Sequence, residues 1–96
     1  MAITLTPRQR ARLKAKAHAL EPVVQIGQAG ASATVMTEVE RSLTAHGLIK
    51  VRLAGNRAER DTLARALSEG TGAAVVQQVG RVLVLWRPRP DEDKEP

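Results

Sequence analysis

The alternation of helix-like and strand-like segments along 96 residues is the feature that most constrains this fold. Short runs rich in Val, Ile and Leu alternate with longer segments in which apolar residues recur at helical spacing. The predicted order is helix, strand, helix, strand, helix and a closing pair of strands. Such alternation is typical of an α/β domain with right-handed crossovers, and an antiparallel closing pair makes the sheet mixed. Residues 1–90 are therefore predicted to form a single domain.

The starts of the three predicted helices carry capping residues. Thr6 with Gln9, and Asn56 with Glu59, have the spacing of a capping box. Ser32 is suited to cap the second helix. These positions fix where each preceding strand or terminal segment must end.

Glycine residues indicate where the second and third helices end and where the last turn lies. The first helix is expected to run to about Ala19, and Gly47 and Gly70 are the expected stops of the second and third helices. The last two strands flank Gly80-Arg81, where glycine in the first position suits a type II′ hairpin turn.

The composition limits both the core and the function. The chain has no Phe, no Tyr and one Trp, so its core must be aliphatic and an aromatic platform for stacking bases is excluded. Trp86 is predicted to be a packing residue. The absence of Cys excludes disulfides and thiolate metal sites, and the expected location is the cytoplasm. No apolar run approaches the roughly 18 residues that span a bilayer.

The charge is basic and unevenly distributed. The formal net charge is +5, yet residues 1–90 hold 14 basic and 6 acidic residues, a net charge of +8. Residues 91–96 form an acidic tail that is predicted to be disordered. A small domain this basic is suited to bind a polyanion, and the alternative is a basic surface that serves solubility.

The segment Gly27-Gln28-Ala29-Gly30 lies between a predicted strand and the Ser32 helix start. A helix start offers unpaired backbone N–H groups and a partial positive charge, and a loop without bulky side chains lets a phosphate approach closely. Our hypothesis is that this loop and Ser32 contact a nucleic-acid backbone. A plain tight turn is the alternative, because the pattern is neither a Rossmann fingerprint nor a Walker loop.

Basic residues precede this loop in the first helix and follow it in the second strand. Basic residues near the start of the first helix oppose the helix dipole, so helix stability does not explain them. We expect them to contact phosphates, although a solvated charged face is the alternative. Lys50 and Arg52 lie on the polar side of the second strand, so one face of the sheet is predicted to be wet and basic. Both residues are expected to join the phosphate-binding surface. The helix cations are Arg8, Arg12 and Lys16 along one flank and Arg10 and Lys14 along the other.

Catalytic groups do not converge in the sequence. His18 and His46 lie near predicted helix ends without a metal-like partner spacing, and Glu38 and Glu40 point to different sides of one helix. No catalytic residue, metal or cofactor is therefore predicted, and the protein is not expected to be an enzyme.

Five ordered blocks between residues 5 and 88 resemble the YhbY-like proteins, which are stand-alone bacterial CRM (chloroplast RNA splicing and ribosome maturation) domains. The resemblance implies a two-layer α/β domain of the order α-β-α-β-α-β-β with a four-stranded mixed sheet, similar to the C-terminal domain of translation initiation factor three. It also implies RNA binding, association with precursors of the large ribosomal subunit and, in plant relatives, intron splicing. The blocks are Leu20-x-Pro22-Val23-Val24, Gly27-x-x-Gly30, Leu48-Ile49-Lys50-Val51, Thr71-Gly72-Ala73, and Gln77-x-Val79-Gly80-Arg81-x-Leu83-Val84-Leu85-Trp86-Arg87-Pro88.

The sequence departs from the family pattern at three places. Many CRM domains carry lysine inside the G-x-x-G loop, whereas this chain has Gln28 and Ala29. Glu21 stands where lysine is common, and Trp86 replaces a usual tyrosine. The resemblance therefore implies phosphate contact through backbone N–H groups, with neighbouring cations supplying the attraction.

Taken together, these features predict a monomeric RNA-binding protein whose partner is ribosomal RNA of the precursor large subunit. Neither a membrane nor a small-molecule substrate is expected. The alternative is a protein-interaction module without direct RNA contact, in which the apolar side of the first helix and the exposed sheet face dock a partner.

Overall fold

A computed structural model of the chain describes residues 4–27 and 30–89. The order of helices and strands is the predicted one. Gln28, Ala29 and the acidic tail at residues 91–96 lie outside the described residues. The elements are α1 (Pro7–Ala17), β1 (Pro22–Ile26), α2 (Ala33–His46), β2 (Leu48–Leu53), α3 (Arg57–Thr71), β3 (Ala74–Val79) and β4 (Val82–Trp86).

The four strands form one mixed sheet in the order β1-β2-β4-β3. β1 and β2 are parallel, whereas β4 runs antiparallel to both β2 and β3. The C-terminal ends of β1 and β2 and the β3–β4 turn therefore share one end of the sheet, which we call the loop end. Trp86, which pairs with Leu48 and Ala74, marks the opposite end.

The larger core lies between one face of the sheet and α2 and α3. Alternate strand residues such as Ile26, Val51 and Leu85 are fully buried there against Leu43 of α2 and Leu67 of α3. Their period of two follows from the pleat, which turns successive side chains to opposite faces.

A smaller core lies on the other face, where Leu13 and Ala17 of α1 pack on Val76 and Val84. The α/β class and the four-stranded mixed sheet are confirmed, and α1 adds a partial third layer that a two-layer description omits. The sheet face expected to be wet and basic is partly covered, because α1 must bury its apolar stripe. Lys50 on this face is accordingly half-buried.

The predicted helix starts are confirmed. Thr6 and Asn56 each form a reciprocal capping box with the residue three positions later, and Ser32 caps α2. At the hairpin turn Gly80 has a φ of +56° and Arg81 has a negative φ, as a type II′ turn requires.

Two predicted helix ends were wrong. α1 ends at Ala17 rather than near Ala19, and α3 continues through Gly70 to Thr71. Gly72, with a φ of +75°, is the left-handed residue that stops α3. Gly70 instead allows close packing, because a Cβ there would collide with the terminal methyl group of Met36.

Arg10 ties α1 to the edge strand β3. The pairing of β3 with β4 is irregular between Val75 and Gln77, and Arg10 Nη1 donates to the carbonyl oxygens of Val75 and Val76 at 2.5 and 2.8 Å. Carbonyl groups at a sheet edge are otherwise open to pairing with another chain. Arg10 therefore has a structural role.

Replacing Arg10 by alanine should lower the free energy of unfolding by about 1–3 kcal/mol, because a charged donor to two backbone carbonyls is lost. Arg8→Ala is the matched control, since Arg8 is exposed on the same helix, and it should change stability by less than about 0.5 kcal/mol. Urea denaturation measures both values. Equal losses in the two variants would contradict the structural role of Arg10.

Candidate nucleic-acid interface

Gly27 and Gly30, the two glycines of the segment 27–30 that we call the GxxG loop, lie close together at the loop end. The N–H of Gly30 donates to the carbonyl of Gly27 at 3.1 Å, and the N–H of Ser32 donates to the carbonyl of Gly30 at 2.9 Å. Gly30 has a φ of +76°, a conformation that favours glycine. Gly27 is exposed, and a Cβ there would meet nothing within 4 Å. The backbone at Gly27 is thus open to close approach.

Two helix starts flank this loop. The Ser32 hydroxyl oxygen accepts from the N–H of Val35 at 3.3 Å, so Ser32 is first of all the cap of α2. β1 and β2 end side by side, and the N–H of Ala54 donates to the carbonyl of Ile26 at 3.1 Å. The start of α3 is therefore held beside the GxxG loop.

A cleft of about 650 Å³ lies between Gly27 and Gly30 of the GxxG loop and the first turns of α3. Its walls are mostly small side chains, including Ala54, Gly55 and Ala58. Glu59 also lines the cleft, and its carboxylate accepts from the N–H of Asn56 at 2.7 Å. An anion in this cleft would need nearby cations to offset the charge of Glu59.

Arginines from α3 and the hairpin turn supply such cations. Arg60 and Arg81 each donate from Nη1 to the carbonyl oxygen of Gly55, at 2.7 and 3.2 Å. Arg57 and Arg60 also line a cavity with Gly80. These residues were not among the predicted contacts. Arg57 could have been predicted as a phosphate contact from the sequence. It is a basic residue in the first turn of a helix, and the same feature led to the prediction for α1.

Three of the predicted cations lie on the α1 face of the sheet, between its middle and the loop end. Lys50 and Arg52 project from the same face of β2, and Lys14 of α1 lines a groove with Lys50. Within residues 4–27 and 30–89, none of these three has a carboxylate partner. The ion pair between Arg87 and Glu40, at 2.9 Å, lies toward the opposite end of the sheet. The charge of the three cations is thus available to a ligand.

The remaining α1 cations do not join this group. Arg10 is bound to β3, as described above. Arg8, Arg12 and Lys16 follow one another at intervals of four on the flank away from Lys14. Lys16 lines a different groove, with His46 and Leu48 at the opposite end. The cations of α1, all predicted to contact phosphates, therefore lie in different parts of the structure, and only Lys14 lies beside Lys50.

Other side chains considered from the sequence have packing or surface positions. Trp86 is half-buried and packs against the smaller core. His18 and His46 are exposed. In the described part of the chain, no three His, Asp or Glu side chains come together as metal ligands, and no helix is both long and apolar enough to cross a bilayer.

The comparisons with known proteins agree with this architecture. The CRS1 / YhbY (CRM) domain model matches residues 5–87. The chain belongs to the CRM domain family. The resemblance seen in the five sequence blocks is thereby confirmed.

Relatives from several lineages share most of the CRM domain chain. It is 43% identical over 86 residues to a Haemophilus influenzae protein named as an RNA-binding protein, covering 88% of this chain and 87% of that one. It is 34% identical over 84 residues to YqeI of Bacillus subtilis, named as a probable RNA-binding protein, covering 86% and 88%. The solution structure of a hypothetical Staphylococcus aureus protein superposes with a TM-score of 0.81, at 33% identity and 96% coverage of both chains.

The two glycines of the GxxG loop should respond differently to substitution. Gly30→Ala should cost about 1–2 kcal/mol of unfolding free energy, because alanine is strained at its positive φ. Gly27→Ala should change stability by less than about 0.5 kcal/mol, since space is open there. Thermal or urea unfolding provides the comparison. A larger loss of unfolding free energy for Gly27→Ala than for Gly30→Ala would contradict these roles, in which Gly30 forms the turn and Gly27 leaves space for a ligand.

Proposed function

We propose that this CRM domain protein binds RNA through the loop end of its sheet and so associates with precursors of the large ribosomal subunit. The observation that carries the proposal is the position of three cations near the open Gly27 backbone. Arg52 pairs with Gln25, two residues before Gly27, and Lys50 and Lys14 follow along the same face of the sheet. None of the three has a carboxylate partner in the described residues. The names of its relatives as RNA-binding or probable RNA-binding proteins support RNA as the polyanion.

In the proposed contact, the cations attract the RNA and the GxxG loop positions its backbone. The cations draw in phosphates and release their counterions, which supplies most of the affinity. The GxxG loop, which has no lysine, fixes the backbone by close approach and by the N–H groups at the start of α2. Such contacts set the register of an RNA strand but carry little sequence information.

The ribosomal partner rests on the resemblance to YhbY-like proteins. We infer that the protein acts without catalysis, as a cytoplasmic monomer that holds structured ribosomal RNA during assembly of the large subunit. A protein-interaction module is the second candidate, and exposed valines favour it, because Val23 and Val79 are 51% and 58% exposed. A protein interface built on either valine would depend little on salt, unlike a phosphate contact.

Two aspartates in the GxxG loop distinguish RNA binding from a protein-interaction function. Gln28→Asp combined with Ala29→Asp should abolish RNA binding and remove the protein from precursor large subunits, because it sets negative charge against the phosphates. Gel shift with ribosomal RNA and sedimentation of the tagged protein with precursor subunits provide the readouts, and circular dichroism checks the fold.

The matched control changes the net charge equally but elsewhere. Arg41→Gln with Arg65→Gln removes two exposed cations of α2 and α3, and this variant should retain nearly all RNA binding. Unchanged RNA affinity in the loop variant would refute clamping by the GxxG loop. Loss of subunit association with RNA binding intact would instead favour the protein-interaction module.

A further inference from the structure

A groove of about 350 Å³ runs between α1 and the sheet beside the loop end. Its walls combine cations from both layers with aliphatic side chains of β3 and β4. The lining residues are Lys14, Ala17, His18, Lys50, Gln77, Val79, Val82 and Val84.

The floor of this groove is apolar and accessible. Val79 is 58% exposed and Val82 is half-buried, and the two pair across the hairpin turn. Val82 also pairs with Arg52 of β2, so the apolar floor borders the cations of the loop end. A ligand seated here would bury apolar surface next to positive charge.

Gln77 gives the groove a polar group that the fold does not use. Its amide carries two donors and an acceptor, yet it makes no hydrogen bond to the residues that the structure describes. The neighbouring Gln78, in contrast, donates from Nε2 to Asp61 at 3.0 Å. A ligand with donors and acceptors along one edge could therefore be read by Gln77.

We propose that this groove binds an unpaired RNA base that lies with one flat face on Val79 and Val82, turns its edge to the Gln77 amide and brings its phosphates to Lys14 and Lys50. The inference rests on the proposed function, because it places one nucleotide of the same RNA. A base combines apolar faces with a hydrogen-bonding edge, and RNA is read mainly through unpaired bases. His18 adds an imidazole ring at the groove, a group on which bases stack.

The base subsite gives the protein a means of recognition that phosphate contacts lack. Cations and the GxxG loop contact the backbone, which is the same for every sequence. The aliphatic groove would favour an unpaired base over a paired one, in a chain that has no Phe and no Tyr to build a stacking platform. Removing the bases while keeping the phosphates therefore tests this groove alone.

The probes are 5′-labelled oligouridine and oligoadenosine of about 12 nucleotides, and an abasic ribose-phosphate strand of the same length. The protein should bind at least one of the two base-carrying strands about tenfold more tightly than the abasic strand, as fluorescence anisotropy measures. Val82→Met extends a larger aliphatic side chain into the groove without offering an aromatic face, and it should narrow that ratio to less than about twofold. Val23→Met is the control, because Val23 lies on the same sheet face on the other side of α1, and it should keep the ratio.

A second variant keeps the test decisive if Val82→Met fails to fold. Gln77→Leu should weaken binding of whichever base-carrying strand the unaltered protein binds most tightly and leave the affinity for the abasic strand unchanged. Equal binding of all three strands by the unaltered protein would overturn the base subsite and leave the proposed function in place. Failure of all three strands to bind at low salt would contradict the proposed function itself, and the base subsite with it.

Discussion

The parallel pairing of β1 with β2 is the constraint on which the site depends. Because the two strands run in the same direction, the segments that follow them meet at one end of the sheet, and both α2 and α3 begin there. The antiparallel β4 then brings the β3–β4 turn, and with it Arg81, to the same end. This strand arrangement thus brings two helix starts, two glycine-containing loops and the hairpin turn together at the loop end.

The pairing of charged side chains also differs between the two ends of the sheet. Toward the opposite end, Arg87 pairs with Glu40 and also donates to the carbonyl of Thr71, so its charge stabilises the fold. Near the loop end, Lys50 and Arg52 have no such acid among the described residues. Unpaired like charges repel and weaken the folded state slightly. Their clustering is readily explained by an anionic partner that offsets this repulsion on binding.

Local signals in the sequence predicted much of the fold. Capping boxes, alternating strand patterns and the Gly80 turn depend on neighbours within a few residues, so they can be read without the tertiary structure. The role of Arg10 could not be predicted, because its acceptors lie more than sixty positions away. Periodicity gave the two flanks of α1, but only packing of Leu13 on the sheet decides which flank faces the loop end. Gly70 was misread as a stop for the same reason, since its close neighbour Met36 belongs to another helix.

The salt dependence of RNA binding tests the central claim most directly. Log Kd plotted against log salt for a single-stranded RNA should change by about 0.7 per neutralised phosphate, and Lys50→Gln with Arg52→Gln should therefore reduce the slope by about 1.4. Arg41→Gln with Arg65→Gln, which removes the same charge elsewhere, should leave the slope unchanged. A flat salt dependence of the unaltered protein, or an equal reduction in both variants, would contradict an RNA site at the loop end.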